Sequence, residues 1–311
     1  MKENASLTWY AIINPVAGKN KAKNLWKKLQ PLLQKANIPC NGLITQYADH
    51  AIDLTKDAIS RGAENFLIIG GDGTANEVIN GIFTSEATPA NMTVAMLSAG
   101  TGNDWVRTIG TYKTLEDIPA KLLLKKTMLH DVGLLEFKKN EATQKRYFIN
   151  IAGLGFDGFT AKKIAEGNRL LQGTKLQYWL ALLGSLFTYK HTIVKFVVDG
   201  KEISLNTLSA AIGNCKYNGG GMKQLPDAQF DDGFLDVTVI GNMSKLKMVV
   251  SLPKLTDGSF VTMNEITTMK GKEIFINSEK TIYVEADGEY LGTLPAKFSV
   301  LEKGISVISW K

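Results

Sequence analysis

A glycine-rich turn at residues 70–74 reads GGDGT and directly follows the apolar run NFLII. Glycines permit positive φ angles and let a ligand approach the backbone without a Cβ in the way. An aspartate in such a turn is repelled by bound phosphates unless it holds Mg²⁺ or accepts a proton from an attacking hydroxyl. The turn is therefore predicted to bind a phosphate group, with Asp72 acting in the chemistry.

A second interpretation of the same turn involves no ligand. Thr74 is placed to cap the helix that follows, and Glu77 comes three residues later, which is the spacing of a capping box. On this interpretation Asp72 only helps to cap a helix. The segment alone leaves both interpretations open.

Two more glycine-bearing turns end other predicted strands. The segment NPVAGKNK ends the first strand and brings Gly18 and Lys19, while SAGTGNDW ends the fourth and brings Thr101, Asn103 and Asp104. The carboxyl ends of parallel strands meet at one edge of a sheet, where ligands bind. Three such turns therefore favour one polar cradle over three unrelated loops.

The elements that must position these turns alternate from Thr8 to about Val132. Short apolar runs such as WYAII, NFLII and TVAML are each followed by a stretch with helical spacing of its apolar residues. Four strand–helix alternations predict a parallel sheet wrapped by helices.

After Asp131 the chain becomes β-rich, and the dipeptides Asp199-Gly200 and Asp287-Gly288 are typical of hairpin turns. Helical stretches interrupt this half near residues 157–167, 174–189 and 244–256. We expect a mainly antiparallel sandwich or barrel, joined to the first half without a flexible linker, so that the two halves pack around a cleft.

Composition excludes several classes of protein. Only two cysteines and three histidines occur, all scattered, which argues against a zinc site or a disulfide scaffold and fits a reducing cytosol. The apolar run LQYWLALLGSLFTY has 14 residues and falls short of the roughly 20 needed to span a bilayer. No Walker loop and no strand-linked dinucleotide fingerprint are found. The net charge of +6 suits contact with an anionic surface, although solvated helix faces would explain it equally well.

Five segments occur in one order over nearly the whole chain: INPVAGK, GGDGTANEVING, GTGND, LPDAQFDDGFLDV and ADGE. Together they resemble the bacterial diacylglycerol kinases and related lipid kinases, which share a catalytic domain with sphingosine and ceramide kinases. NAD kinases and phosphofructokinases share the GGDG turn. The resemblance implies an N-terminal Rossmann-like α/β nucleotide domain with a parallel sheet over residues 1–133, completed by 296–311. A mainly antiparallel β-sandwich domain for the lipid substrate is implied over 134–295.

The resemblance also implies roles for single residues. ATP would be held by Asn14, Gly18, Lys19, Gly70, Gly71, Gly73, Thr74, Thr101, Gly102 and Asn103, with Lys19 near its phosphates. Asp72 would lie at the γ-phosphate, and Asp104 and Asp131 would organise Mg²⁺ and its hydrogen bonds. Glu289 matches the proposed general base, although the residues alone would make ADGE a hairpin turn. The choice between Asp72 and Glu289 as base stays open.

The acidic segment DAQFDDGFLDV has two interpretations. From the residues alone, Asp231 and Asp232 precede a glycine as turn residues do, which predicts a solvated turn. The resemblance implies a structural Mg²⁺ bound by Asp232 and Asp231, with the Gln229 side chain or the Phe234 carbonyl as further ligands. Hard oxygen ligands suit Mg²⁺ or Ca²⁺.

The expected activity is transfer of phosphate from ATP, with Mg²⁺, to the hydroxyl of diacylglycerol, giving phosphatidate. Alternatives are another lipid acceptor (phosphatidylglycerol, a sphingoid base or ceramide), a soluble nucleotide as in NAD kinases, or a nucleotide-binding lipid sensor without turnover. The stretch 170–189 could receive acyl chains or form a buried core helix. We expect a cytoplasmic protein that binds the inner face of anionic membranes peripherally, and no nucleic-acid partner. Homodimerisation is left open.

Overall fold

The computed structural model describes residues 7–167, 184–185 and 188–310. The chain divides into two compact units, with the divisions after Asp131 and after Glu302. The first unit contains the N-terminal part of the chain and the returning C-terminal segment, and the second unit contains everything between. The sequence-based division lay at 133 and 296.

The first unit is a parallel sheet with helices. Its strands are β1 (Trp9–Ile13), β2 (Cys40–Ile44), β3 (Asn65–Gly70) and β4 (Thr93–Ser98), and its helices are α1 (Lys21–Lys35), α2 (His50–Ser60), α3 (Asp72–Phe83), α4 (Asp104–Ile109) and α5 (Asp117–Leu124). The sheet runs in the order β2-β1-β3-β4, and Ser306–Val307 of the last strand of the chain pairs in parallel with β4. The predicted parallel sheet is confirmed.

Burial explains why these short runs form strands. All six residues of β3 are buried, as expected for a central strand that helices cover on both faces. The strand order reverses between β1 and β3, since β2 lies on the far side of β1. Ligands of open α/β sheets bind outside the carboxyl ends of strands at such a switch point. The three glycine-bearing turns follow β1, β3 and β4.

The second unit is built mainly from antiparallel pairs. Its strands are β5 (Thr127–Lys139), β6 (Ala142–Phe148), β7 (Ile151–Gly155), β8 (Thr192–Val198), β9 (Lys201–Thr207), β10 (Ser209–Gly213), β11 (Leu235–Ile240), β12 (Ile266–Gly271), β13 (Glu273–Asn277), β14 (Tyr283–Ala286) and β15 (Glu289–Ile308), with helices α6 (Phe156–Ala165) and α7 (Lys245–Asp257). Strands β5 and β15 each begin in one unit and end in the other.

Two rows of strands meet at β15 and enclose the core of this unit. One row is β12-β11-β10-β7-β14-β15, and the other is β9-β8-β13-β15. The first part of β15 pairs with β14 and a later part pairs with β13. Phe148, Phe196 and Phe298 are fully buried in the enclosed core. The predicted antiparallel sandwich is confirmed.

Local turn and helix predictions hold where the structure describes them. Asp199 and Gly200 have φ angles of 46° and 81°, and Asp287 and Gly288 have 48° and 87°, as hairpin turns of this kind require. The predicted helices at 157–167 and 244–256 are α6 and α7. The predicted helix at 174–189 and the proposed acyl-chain segment at 170–189 lie largely outside the described residues.

Candidate active site

The three glycine-bearing turns of the first unit touch one another. The Asn14 Nδ2 atom donates a hydrogen bond to Thr74 Oγ1 at 3.2 Å, which joins the end of β1 to the start of α3. A Cβ on Gly18 would lie 1.9 Å from the carbonyl oxygen of Ala99, and one on Gly100 would lie 2.6 Å from the Cα of Gly71. Only glycine fits at these close approaches, so the turns are brought together by backbone contact.

Left-handed backbone concentrates in two of these turns. Gly18, Lys19 and Asn20 have successive φ angles of 59°, 56° and 71°, and Asn103 has 58°. Each non-glycine residue in this region costs on the order of 1–2 kcal/mol. Strained backbone of this kind clusters at ligand-binding sites, where the surrounding structure maintains it.

Asp72 caps a helix other than its own. Helix α3 begins at Asp72 with Gly71 as its N-cap and no side-chain cap. The two carboxylate oxygens of Asp72 accept hydrogen bonds from the backbone amides of Asp104 and Trp105, each at 3.2 Å. The carboxylate therefore holds the start of α4, which follows β4, against the start of α3.

The predicted capping box at Thr74 and Glu77 is wrong. Because α3 begins at Asp72, Thr74 lies inside the first turn of the helix rather than at its N-cap. The Glu77 carboxylate instead accepts from the backbone amide of Ala51, in the first turn of α2, at 3.0 Å. The spacing was that of a capping box, but the partner belongs to a neighbouring helix.

Two carboxylates converge above Gly102. A Cβ on Gly102 would lie 3.0 Å from Asp72 Oδ2 and 3.3 Å from Asp104 Oδ2. Asp104 is buried, with Arg107 Nε at 3.6 Å from its Oδ1 atom. Within the described part of the chain, no cluster of three or more acidic, histidine or cysteine residues is placed to hold a metal ion. Mg²⁺ that arrives with a nucleotide needs only one or two protein carboxylates besides the phosphates, so this pair fits that role.

Asp131 is fully buried in β5. Its Oδ1 atom accepts from the backbone amide of Lys303 at 2.6 Å. The neighbouring His130 ring contacts the Asp131 carbonyl through Nδ1 at 2.6 Å and accepts from Trp105 Nε1 through Nε2 at 3.1 Å. Burial lowers the pKa of His130 to about 4, so the ring is neutral and connects Asp131 to α4.

Glu289 of the second unit forms an ion pair. Its Oε2 atom lies 2.7 Å from Arg146 Nη2, and the arginine side chain is 13% exposed against 38% for the glutamate. The preceding Asp287 carboxylate accepts from the amides of Ile149, Asn150 and Ile151, each at 3.2 Å. These bonds fix the turn that carries Glu289.

Two further carboxyl groups lie behind this turn. Glu285 is buried, and its Oε2 atom accepts from the Gly288 amide at 2.8 Å. A Cβ on Gly153 would lie 2.4 Å from Glu285 Oε1 and 3.1 Å from the Cβ of Asp157, so both acids face the same bare glycine. Burial raises the pKa of Asp157 to about 6, although Ser209 and Gln224 donate to it. Burial, reinforced by Asp157, raises the pKa of Glu285 well above its usual value.

The acidic turn of the second unit contains a lysine ammonium. Lys270 Nζ lies 2.6 Å from Asp232 Oδ2 and 3.3 Å from Asp236 Oδ2. The other Asp232 oxygen accepts from the amide of Phe234 at 3.1 Å, and Asp231 is exposed. Lys270 therefore supplies positive charge to Asp232, to which the resemblance assigned a metal. The assignment of a metal to Asp231 and Asp232 stays a prediction.

Family models cover most of the chain. Residues 8–135 match the diacylglycerol kinase catalytic domain, and residues 150–309 match the YegS C-terminal NAD kinase beta sandwich-like domain. The chain belongs to the diacylglycerol kinase and lipid kinase family. The two matches follow the order of the α/β unit and the sandwich.

Relatives of this lipid kinase family member match along nearly their whole length. YtlR of Bacillus subtilis (strain 168), named provisionally as a lipid kinase, is 29% identical over 94% of this chain and 96% of its own. A diacylglycerol kinase of Mycobacterium tuberculosis (strain CDC 1551 / Oshkosh) is 25% identical over 96% and 94%. A crystal structure from Bacillus anthracis str. Sterne, named provisionally as a diacylglycerol kinase, superposes with a TM-score of 0.78 at 24% identity, covering 97% of this chain and 95% of that one.

Membership in this kinase family implies use of a nucleotide and a lipid substrate. Among the described helices, none is long and apolar enough to cross a bilayer.

Sequence reasoning missed Arg146 and Lys270, which are paired across 143 and 38 residues of chain with Glu289 and Asp232. It also did not single out Asp157, which lies in the segment GLGFDGF. No local signal distinguishes a long-range partner from a surface cation, so these residues were not identifiable from spacing.

Proposed function

We propose that this member of the lipid kinase family transfers the γ-phosphoryl group of ATP to the primary hydroxyl of diacylglycerol, giving phosphatidate. The observation that carries the proposal is the convergence of three glycine-bearing turns with Asp72 and Asp104 at the carboxyl ends of β1, β3 and β4. Phosphoryl transfer depends on positioning and on neutralising charge more than on covalent help from the protein.

The proposed nucleotide site uses the backbone of the three turns. The backbone amides of Gly18, Gly70, Gly71, Gly73 and Gly102 are proposed to meet the phosphates, with Asn14, Thr74, Thr101 and Asn103 as polar side chains around them. Lys19 is exposed and is proposed to contact the phosphates. Bound Mg²⁺ would neutralise phosphate charge, with Asp72 and Asp104 as its protein ligands. Asp131 supports this arrangement through His130 and Trp105.

Glu289 is proposed to accept the proton of the attacking hydroxyl, with Arg146 orienting its carboxylate. The Asp72 carboxylate is already committed to two backbone amides, which favours Glu289 for this role. Replacing Glu289 with Gln keeps the shape and removes the basicity, so kcat falls by about 10²–10⁴ while the KM for ATP changes little. Steady-state kinetics with a lipid acceptor measures both constants, and an unchanged kcat assigns the base elsewhere.

The same site would serve other acceptors. Phosphatidylglycerol, a sphingoid base or ceramide would keep the chemistry and change only the lipid. A soluble nucleotide acceptor would match the NAD kinase-like character of the sandwich family model. A lipid sensor without turnover would bind nucleotide and lipid but transfer nothing.

The decisive experiment is ³²P transfer from [γ-³²P]ATP with Mg²⁺ into diacylglycerol micelles, ceramide, sphingosine, phosphatidylglycerol and NAD in parallel. Label in phosphatidate that disappears with Asp72→Ala supports the proposal. Label in another lipid changes the substrate, label only in NAD moves the activity to a soluble acceptor, and no label with intact nucleotide binding favours the sensor.

A further inference from the structure

The outer face of helix α7 is apolar and exposed. Leu246 is 76% exposed, Val250 is 70% exposed and Val249 is 45% exposed, and Pro253 is exposed beside them. Positions 246, 249, 250 and 253 follow the i, i+3, i+4, i+7 spacing that places side chains on one face of a helix. A contiguous exposed apolar surface of this kind marks a site of interaction with a partner or a membrane.

The opposite face holds α7 on the second unit. Ser251 is buried there, and Met248, Leu252 and Leu255 are partly buried. The helix is capped by the Ser244 hydroxyl, which accepts from the Lys247 amide at 3.3 Å. Near its other end the Leu255 carbonyl accepts from the Lys223 amide at 2.6 Å. The outer face is therefore not needed to hold the helix in place, and its exposure requires another explanation.

Lysines border the apolar face on both sides. At 3.6 residues per turn, Lys245 lies at one border and Lys247 and Lys254 at the other. Asp257, the single acidic residue of the helix, lies one turn beyond Pro253 and ends the apolar face at the last residue of the helix. Lys247 pairs with Glu265, so Lys254 is the lysine of that border available to lipid phosphates. An apolar stripe between cationic borders is the arrangement of helices that lie in the plane of an anionic membrane interface.

We propose that α7 docks the protein on anionic bilayers, with Leu246, Val249 and Val250 entering the interface and Lys254 contacting lipid phosphates. The inference rests on the proposed function to the extent that a lipid acceptor places the substrate in a membrane. It adds the surface that meets the membrane, which the proposed active site does not identify.

The test compares vesicle binding of the full-length protein and three variants. Vesicles of phosphatidylcholine alone and of phosphatidylcholine with 30% phosphatidylglycerol are used as probes in flotation assays, without ATP. The variants are Leu246→Ser with Val250→Ser in one chain, Lys254→Glu, and Ile193→Ser as the matched control. Ile193 is 69% exposed on β8 of the same unit, so it repeats the loss of an exposed apolar side chain away from α7.

We expect the wild-type protein and the Ile193 variant to bind the anionic vesicles equally. The double variant should lower the partition coefficient roughly tenfold or more, because two apolar side chains no longer enter the interface. Lys254→Glu should lower it several-fold, most clearly at low salt. Circular dichroism and gel filtration check that each variant is folded.

Several results would overturn the docking surface. The proposal is wrong if the wild-type protein binds neither kind of vesicle, or if the double variant binds as well as the wild type. It is also wrong if the Ile193 control loses as much binding as the double variant. A concentration-dependent dimer that the double variant abolishes, with vesicle binding unchanged, would assign the face to a second copy of the chain.

Turnover separates this inference from the proposed function. The double variant should phosphorylate diacylglycerol normally in detergent micelles and poorly in vesicles. If the wild-type protein binds vesicles through α7 but phosphorylates no acceptor, the kinase proposal is wrong and the docking surface on α7 is still supported.

Discussion

The Asp72 carboxylate has a structural role and a proposed chemical role, and two substitutions separate them. Asp72→Ala removes both oxygens that accept hydrogen bonds from the α4 amides. Asp72→Asn keeps one acceptor oxygen but cannot bind Mg²⁺ as a carboxylate does. We expect both variants to lose at least about 10³-fold in turnover. Loss of a helix cap costs about 1 kcal/mol, so the alanine variant should melt a few degrees lower, and the asparagine variant, which keeps one of the two acceptors, should lose less. Label transfer and thermal unfolding give the two readouts.

Asp117 provides a matched control for that comparison. Its carboxylate accepts from the Thr114 amide at the start of α5, at 3.2 Å, in the same unit but away from the glycine-bearing turns. Asp117→Ala should lower stability slightly and leave turnover unchanged. Normal turnover of Asp72→Asn would show that this carboxylate only caps α4.

Asp157 predicts a pH dependence of stability with a definite sign. Its pKa is raised to about 6 in the folded protein, so between pH 4 and 6 the native state binds more protons than the unfolded chain. The contribution of Asp157 to the free energy of unfolding must then fall as pH rises through this window. Asp157→Asn cannot titrate and should show a shallower fall, measured by urea denaturation at pH 4.5, 5.5 and 6.5. Exposed Glu64→Gln serves as the control, and parallel curves for all three proteins would contradict the assignment.

At the scale of elements, local patterns predict the strands and helices but not their partners. The runs before the glycine-bearing turns are strands and α6 and α7 are helices, because periodicity and turn chemistry act over a few residues. Glu77 had the spacing of a capping box yet caps α2, and Asp72 caps α4. Which helix end reaches a carboxylate depends on tertiary packing that no local spacing encodes. The converging turns were predictable because the carboxyl ends of parallel strands meet at one edge of a sheet. The Arg146–Glu289 pair depends on tertiary packing, so it was not predictable.

The turn between β10 and β11 offers a choice between a metal and a lysine. Because Lys270 already places its ammonium between Asp232 and Asp236, we expect the melting temperature of the wild-type protein to change little with EDTA or added Mg²⁺. Lys270→Met leaves two neighbouring carboxylates without that cation, so it should lower the melting temperature and make it rise again with millimolar Mg²⁺ or Ca²⁺. Thermal unfolding across a series of cation concentrations measures both effects.

Lys297→Met is the control for the lysine substitution, since Lys297 pairs with a single exposed carboxylate, Glu273. It should cause little loss and create no dependence on divalent cations. A wild-type protein that loses stability in EDTA would instead support the metal implied by the family resemblance.

At the scale of the whole molecule, the chain leaves the first unit on β5 and returns to it on β15. The returning segment enters the core of that unit, where Ile308 and Trp310 are buried and the Trp310 ring meets Tyr112 edge to face at 6.0 Å. The first unit is therefore completed only after the second unit has been synthesised. This was anticipated from the sequence by resemblance to the family, since the segment KGISVISW has no local feature that assigns it to either half.

Trp310→Ala tests whether the returning segment supports the nucleotide unit. Removing a buried tryptophan costs about 3–5 kcal/mol, and Trp310→Phe should cost less because it keeps an aromatic ring against Tyr112. Phe298→Ala, in the core of the second unit, is a loss of comparable size elsewhere.

A non-hydrolysable ATP analogue stabilises whichever unit binds it. In calorimetry, Trp310→Ala should lower the melting temperature of the same transition that the analogue raises. Phe298→Ala should lower the melting temperature of the other transition. If Trp310→Ala instead lowers only the melting temperature of the transition that the analogue does not shift, the returning segment stabilises the sandwich and nucleotide binding does not depend on it.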